Sequence, residues 1–161
     1  MTRNVQEARN WRGRPILLIE DNPDDAMLTI RALKKSNLLN EIIHLKDGEE
    51  ALDYLFARGK YAGRDLSVLP ELILLDLKLP KVGGLEVLEK LRQGEGTKFI
   101  PVVILSSSGE DKDLIRAYEL GANSYVTKPI DFNEFGKAVK DIGLYWLVLN
   151  RSPFNQVFRR P

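Results

Sequence analysis

Leu72-Ile73-Leu74-Leu75-Asp76-Leu77-Lys78-Leu79-Pro80 is an apolar run that stops on a carboxylate. Four consecutive aliphatic residues, bounded by Pro70 on one side and by Pro80 and Gly83-Gly84 on the other, predict a short strand buried on both faces, as in a parallel sheet. Asp76 then stands at the carboxyl end of a central strand, the edge of an open α/β sheet where ligands bind. An acid that only begins a turn or caps a helix would read the same way in isolation, so the rest of the chain decides.

Working outward, residues 15–19 form a first buried strand that ends on Glu20-Asp21. Asp21 or Asn22 can cap the helix that follows, Pro23 suits its first turn, and Asp24 and Asp25 favour its positive end. Ala26, Met27, Ile30 and Leu33 then share one helical face. Residues 41–45 are a second strand, and Asp47 with Glu50 begins a helix carrying Ala51, Leu52, Leu55 and Phe56. Residues 57–69 make a loop longer than the usual connection, an insertion or a partner surface. Beyond the Asp76 strand, Val87, Leu88 and Leu91 mark a third helix, and residues 100–105 a fourth strand that leads to Ser106-Ser107-Ser108-Gly109. Leu114, Ala117 and Tyr118 mark a fourth helix that stops near Gly121. A fifth strand, residues 124–127, ends on Lys128-Pro129. The last helix begins near Asp131, with Glu134 three residues on, and carries Phe132, Phe135, Val139, Ile142, Trp146 and Leu149 at helical spacing. Five strands alternating with five helices predict a doubly wound, five-stranded parallel sheet, because parallel neighbours need crossover helices.

Composition narrows the function classes. The 161 residues, 43% of them hydrophobic, suffice for one domain with a real core, and the net charge of +1 leaves no nucleic-acid footprint. Only the extremities concentrate basic residues (Arg9, Arg12, Arg14; Arg151, Arg159, Arg160), so no direct nucleic-acid partner is expected. The absence of cysteine removes disulfides and thiolate chemistry. The polar leader, residues 1–13, lacks the apolar segment of a signal peptide or membrane anchor, which predicts a cytoplasmic protein with no membrane partner. His44, the only histidine, falls mid-strand and reads as a packing residue.

Parallel strands bring their carboxyl ends to one edge, so Glu20-Asp21, Asp76, Ser106 and Lys128 should meet. Carboxylates crowded there would raise one another's pKa unless a cation held them ionised. An open, all-oxygen cluster suits Mg²⁺, which keeps several waters and accepts one or two carboxylates. Asp21 and Asp76 are the expected direct ligands, with Glu20 acting through a water and the backbone carbonyl of Lys78 completing the protein's share. Adding Lys128 gives a nucleophilic carboxylate, a divalent cation and a second positive charge, the equipment for phosphoryl transfer to an aspartate. Ser106 adds a hydroxyl donor for a phosphoryl oxygen.

On Glu20-Asp21, the run from Asp76 to Pro80, Ser106 and Lys128-Pro129, residues 14–149 resemble the receiver domains of two-component response regulators, a flavodoxin-like (βα)5 family. The resemblance implies that Asp76 accepts a phosphoryl group from a phosphohistidine on a sensor histidine kinase, that Asp21 and Asp76 bind Mg²⁺ with help from Glu20, and that Lys128 contacts the phosphoryl group. It also places Ser106 and Tyr125 at the switch pair, and Lys78 and Ser108 at positions that influence dephosphorylation. The long loop and the Tyr145-Trp146 ending are further similar to single-domain regulators that partner bacterial phytochromes.

About a dozen residues follow Leu149, too few for an output domain, so the expected output is a change in protein binding. Residues 142–149 are apolar all round, which predicts a homodimer through the last helix with Tyr145, Trp146 and Leu149 at its interface. The tail, residues 150–161, either drapes across the partner or stays disordered. Three rival readings remain. A nucleotide-binding protein would need a glycine-rich cradle where Glu20-Asp21-Asn22-Pro23-Asp24-Asp25 stands. An aspartyl-phosphate hydrolase would place a second acid where Lys78 stands. A receiver-like scaffold that binds without phosphorylation would have little use for intact acids and lysine.

Overall fold

The computed structural model describes residues 13–153; residues 1–12 of the leader and 154–161 of the tail lie outside the described residues. Five strands form one sheet: β1 (Ile16–Ile19), β2 (Ile42–Leu45), β3 (Leu72–Leu75), β4 (Val102–Ser106) and β5 (Ser124–Thr127). Their spatial order is β2-β1-β3-β4-β5, and every neighbouring pair is parallel. The five α-helices are α1 (Pro23–Lys35), α2 (Gly48–Leu55), α3 (Gly84–Gln93), α4 (Asp111–Glu119) and α5 (Phe132–Leu144). The sequence order reverses between β1 and β3, so the crevice above their carboxyl ends is the topological switch point where such sheets bind ligands.

Alternation along the strands sorts the core into two layers. Leu17, Ile19, Ile73, Leu75, Val102 and Ile104 pack under α2, α3 and α4. Ile16, Leu18, Leu72, Leu74, Val103 and Leu105 pack under α1 and α5 on the other face. All four residues of β3 are fully buried, as a central strand covered on both sides requires.

Local chemistry fixes the helix starts. Asn22 caps α1, its side-chain oxygen accepting from the Asp24 and Asp25 amides at 2.9 and 3.1 Å. Asp47 caps α2 and Asp131 caps α5 in the same manner. The Glu50 carboxylate reaches back to the Lys46 amide rather than to that of Asp47, so the capping box is shifted by one residue. Gly84 is dictated by close approach: a Cβ there would stand 2.3 Å from the Asp76 carbonyl oxygen. Only a bare residue lets α3 start so near the end of β3.

The structure corrects several expected details. The second strand begins at Ile42 rather than 41, and the fourth spans Val102–Ser106 rather than 100–105. Phe56 is the residue after α2, not part of it. Met27, Tyr118 and Phe132, expected on buried helix faces, are half or more exposed, and α1 instead buries Ala26, Thr29, Ala32 and Leu33. The last helix stops being α-helical at Leu144 and widens into a π turn, Tyr145–Leu149, closed by Asn150 N–H donating to the Tyr145 carbonyl. The long loop is pinned rather than loose. It contains a 3-10 turn, Gly59–Tyr61, and the Arg64 guanidinium lies 4.2 Å over the Tyr54 ring while donating to the carbonyls of Tyr54, Leu55 and Val68. No helix among the described residues is long and apolar enough to cross a membrane.

Candidate functional site

Four strands deliver polar groups to the carboxyl edge, each because an apolar strand ends there. Glu20 and Asp21 follow β1, Asp76 follows β3, Ser106 closes β4 and Lys128 follows β5. The Lys128 ammonium lies 2.5 Å from Glu20 Oε1, 2.8 Å from Asp25 Oδ2 and 3.0 Å from Asp76 Oδ2. Its side chain is only 8% exposed. Asp76 Oδ1 accepts from the Ser106 hydroxyl at 2.9 Å and from the Lys78 amide at 3.3 Å. Both oxygens of Asp76 are thereby oriented by donors on two different strand ends.

Electrostatics divide the acids into two kinds. Burial pushes Glu20 up to about 7 despite the hydrogen bond from Lys128, and the charge of Asp76 adds to the rise. Burial also acts to raise Asp76, but the hydrogen bond and charge of Lys128, with further donors at Glu20 and Ser106, hold it below the ordinary carboxylate range. Lys128 is raised despite its burial, because Asp25, Glu20 and Asp76 all accept from it. Asp76 is therefore the more acidic carboxyl of the pair and Glu20 the one more readily protonated.

One oxygen from each of Glu20, Asp21 and Asp76 can be chosen so that all three lie within 4.8 Å of one another. Opposite ligands of an octahedral ion with bonds of 2.0–2.1 Å stand about 4.2 Å apart, so this set fits a small hard dication. The upward push on Glu20 points the same way: one ammonium does not offset burial among the acids gathered here, and a second cation would favour the ionised form.

Of the residues expected at the site, Glu20, Asp21, Asp76, Lys78, Ser106 and Lys128 come together. Tyr125 stands apart from the acids; its hydroxyl donates to the Ser108 carbonyl at 2.9 Å, one turn of loop from Ser106. Tyr145, Trp146 and Leu149 lie in the segment after α5, away from this edge. Two participants escaped the sequence reading. Asp25 has the ordinary role of an acid in a first helical turn, and nothing in its spacing signalled the ion pair to Lys128. His44 Nε2 lies 2.7 Å from the Glu20 carbonyl, and since a carbonyl only accepts, that nitrogen carries the proton.

Residues 16–140 match the response regulator receiver domain family. The chain belongs to that family. It is 46% identical over 138 residues to the probable methanogenesis regulatory protein FilR2 of Methanothrix harundinacea (strain 6Ac), covering 86% of each chain. It is 42% identical over 132 residues to the response regulator Rcp1 of Synechocystis sp. (strain ATCC 27184 / PCC 6803 / Kazusa), covering 82% of this chain and 88% of Rcp1. Among solved structures, Mn²⁺-bound Rcp1 matches with a TM-score of 0.82 at 40% identity, covering 88% of this receiver and 99% of that chain. The phosphorylated cyanobacterial phytochrome response regulator RcpA matches with a TM-score of 0.82 at 39% identity, over 87% and 98% of the two chains. The bacteriophytochrome response regulator AtBRR matches with a TM-score of 0.67 at 53% identity, over 86% and 98%. The receiver thus has the flavodoxin-like fold and a group of three acids that could hold a metal ion, and it belongs to a signalling family in which RcpA and AtBRR are phytochrome response regulators. As readings of this acidic edge, the nucleotide-binding, hydrolase and phosphorylation-independent scaffold alternatives are not favoured.

Proposed function

We propose that Asp76 accepts a phosphoryl group from a phosphohistidine on a sensor histidine kinase, and that the modified receiver, residues 14–149, signals through altered protein binding. The observation that carries this reading is the state of Asp76: an ionised carboxylate, 3.0 Å from a buried ammonium and 2.9 Å from a hydroxyl, beside two further acids that suit a dication. In the transfer, a phosphorus–nitrogen bond breaks as an Asp76 oxygen–phosphorus bond forms, and the departing imidazole takes a proton from water. Asp21 and Asp76 would hold Mg²⁺ directly, assisted by the Lys78 carbonyl and by Glu20 through a water. Mg²⁺ supplies neutralisation of the equatorial phosphoryl oxygens when bound.

Lys128 supplies the second positive charge to those oxygens. Ser106 exchanges its bond to Asp76 Oδ1 for one to a phosphoryl oxygen, which it makes only in the modified state. Ser106 shares a loop with Ser108, and Ser108 holds both the Tyr125 hydroxyl and the Asp113 carboxylate of α4. Movement of Ser106 is thereby passed to the face built from α4, β5 and α5. The chain catalyses only its own modification and its reversal, with Lys78 and Ser108 at positions that tune the reversal.

The kinase partner that fits the relatives best is a bacterial phytochrome, and the compartment is the cytoplasm. The homodimer is assigned to the segment after α5, where Tyr145, Val148 and Leu149 are exposed and the Tyr145 and Trp146 rings pack edge to face at 5.0 Å. Incubation with acetyl phosphate and Mg²⁺, read by intact mass, tests the reading. The native chain should gain one phosphoryl group that Asp76→Asn does not acquire; equal modification of both would contradict it.

A further inference from the structure

On the sheet face opposite α2, α3 and α4, the helices α1 and α5 flank a half-open recess of about 420 Å³. Both helices follow strands of a parallel sheet and pack on the same layer, so they run side by side in the same direction. Leu28 and Phe132 line the end nearer the acidic edge, and Lys35 and Lys140 the far end. Arg31 and Lys137 stand between them. At 1.5 Å of rise per residue this double stripe is about 10–12 Å long.

Three observations say that the recess is built to receive something. First, among the described residues no acid lines it, and the side chains of Arg31, Lys35, Lys137 and Lys140 make no hydrogen bond or ion pair. Elsewhere Arg58, Lys60, Lys81, Lys98, Lys112 and Arg116 find carboxylates, while Lys34, Lys46, Lys78 and Lys90 are spread singly over the surface without one. Four unpaired cations converging on one hollow, in a chain of net charge only +1, are a concentrated demand for negative charge. Second, Gly136 sits inside α5, where glycine disfavours the helix, yet nothing lies within 4 Å of where its Cβ would stand. Packing does not require it; what its bareness preserves, with Ala32 on α1, is the depth of the hollow. Third, Phe132 is 64% exposed at the mouth, an aromatic face with no partner of its own.

The volume falls in the range of small-molecule sites, and a short hollow two helical turns long suits a compact body better than a broad surface contact. The chain's own ends do not match it. Residues 1–12 carry three arginines against Glu7, and residues 154–161 carry Arg159 and Arg160 and no acid. We propose that this recess binds a small polyanion of the nucleotide class, its phosphates set against Arg31, Lys35, Lys137 and Lys140 and its planar body against Leu28 and Phe132. The site is separate from the acidic cluster, yet both share helix α1, whose first turn supplies Asp25 to Lys128.

The test is titration of the full chain with ATP in the presence of EDTA, so that no metal bridges the nucleotide to Asp76, followed by calorimetry and amide chemical shifts. Saturable binding is expected, with shifts confined to α1 and α5. The double variant Arg31→Gln/Lys137→Gln should weaken it about tenfold or more. Gly136→Leu should abolish it by filling the hollow, whereas Gly136→Ala should weaken it far less. Divalent-metal binding at the acidic cluster, measured on each variant, reports that the fold is intact. Absence of saturation at millimolar ATP, binding indifferent to these substitutions, or engagement of the same lysines by poly-glutamate or anionic vesicles but not by ATP would each overturn the proposal.

Discussion

Lys128 is the residue on which the resting state of the site depends. Among the described residues it is the one cation shared by Glu20, Asp25 and Asp76, and removing it leaves ionisable acids facing each other in a largely buried place. Lys128→Ala should cost about 3–5 kcal/mol of stability in metal-free buffer, the scale for breaking a buried pair. Added Mg²⁺ should restore more of that stability in the variant than it adds to the native chain, as denaturant titration with and without the ion will show. Acetyl phosphate labelling of the variant should slow by about 10²–10³, the usual effect of losing one aimed positive group. At this scale the sequence was legible wherever a polar residue terminated an apolar strand. Glu20, Asp76, Ser106 and Lys128 each interrupt a hydrophobic pattern, and a shared sheet direction forces them together. Asp25 was not legible, since an acid at a helix start already has a sufficient explanation in the macrodipole. His44 was hidden for the opposite reason: its bond goes to a backbone carbonyl, which leaves no mark on residue identity.

Among the elements, the long loop before β3 shows how local chemistry turns an unassigned stretch into structure. Tyr61 donates to Glu50 Oε1 at 2.8 Å, Lys46 N–H donates to Oε2, and Lys60 lies 3.3 Å away. Partial burial acts to raise the Glu50 carboxyl, but these three donors outweigh it and hold the group below its ordinary value of 4.5. A depressed carboxyl contributes stability that is complete above the unfolded value and is lost as pH falls through the folded one. The loop's anchorage should accordingly weaken below pH 4.5, and Tyr61→Phe should flatten that acid limb of the stability profile. The same variant should lose about 0.5–1.5 kcal/mol at neutral pH. Alternation and capping made the strands and helix starts readable, but helix faces were less so. Met27 shares a stripe with Ala26, Ile30 and Leu33, yet α1 lies against the sheet through small residues, Ala26, Thr29 and Ala32, and the long side chain turns outward. Hydrophobicity alone does not tell which side of a close-packed helix must be narrow. The end of α5 was misjudged for a related reason: periodicity runs on through Trp146, but the backbone widens at Tyr145 to a π turn that periodicity cannot register.

For the whole molecule, one parallel sheet separates two packed layers. The layer under α2, α3 and α4 adjoins the Ser106–Ser108–Tyr125 path, and the layer under α1 and α5 leads to the exposed apolar segment Tyr145–Leu149. If that segment is the dimer interface, Leu149→Asp should convert a dimer to a monomer in sizing with light scattering, with metal binding unchanged. After acetyl phosphate treatment with Mg²⁺, borohydride reduction converts an acyl phosphate to an alcohol, which peptide mass spectrometry then locates. Homoserine is expected at position 76 and nowhere else. Reduction at Glu20 or Asp21, or a phosphoryl group that resists borohydride because it sits on Ser106 or His44, would contradict it.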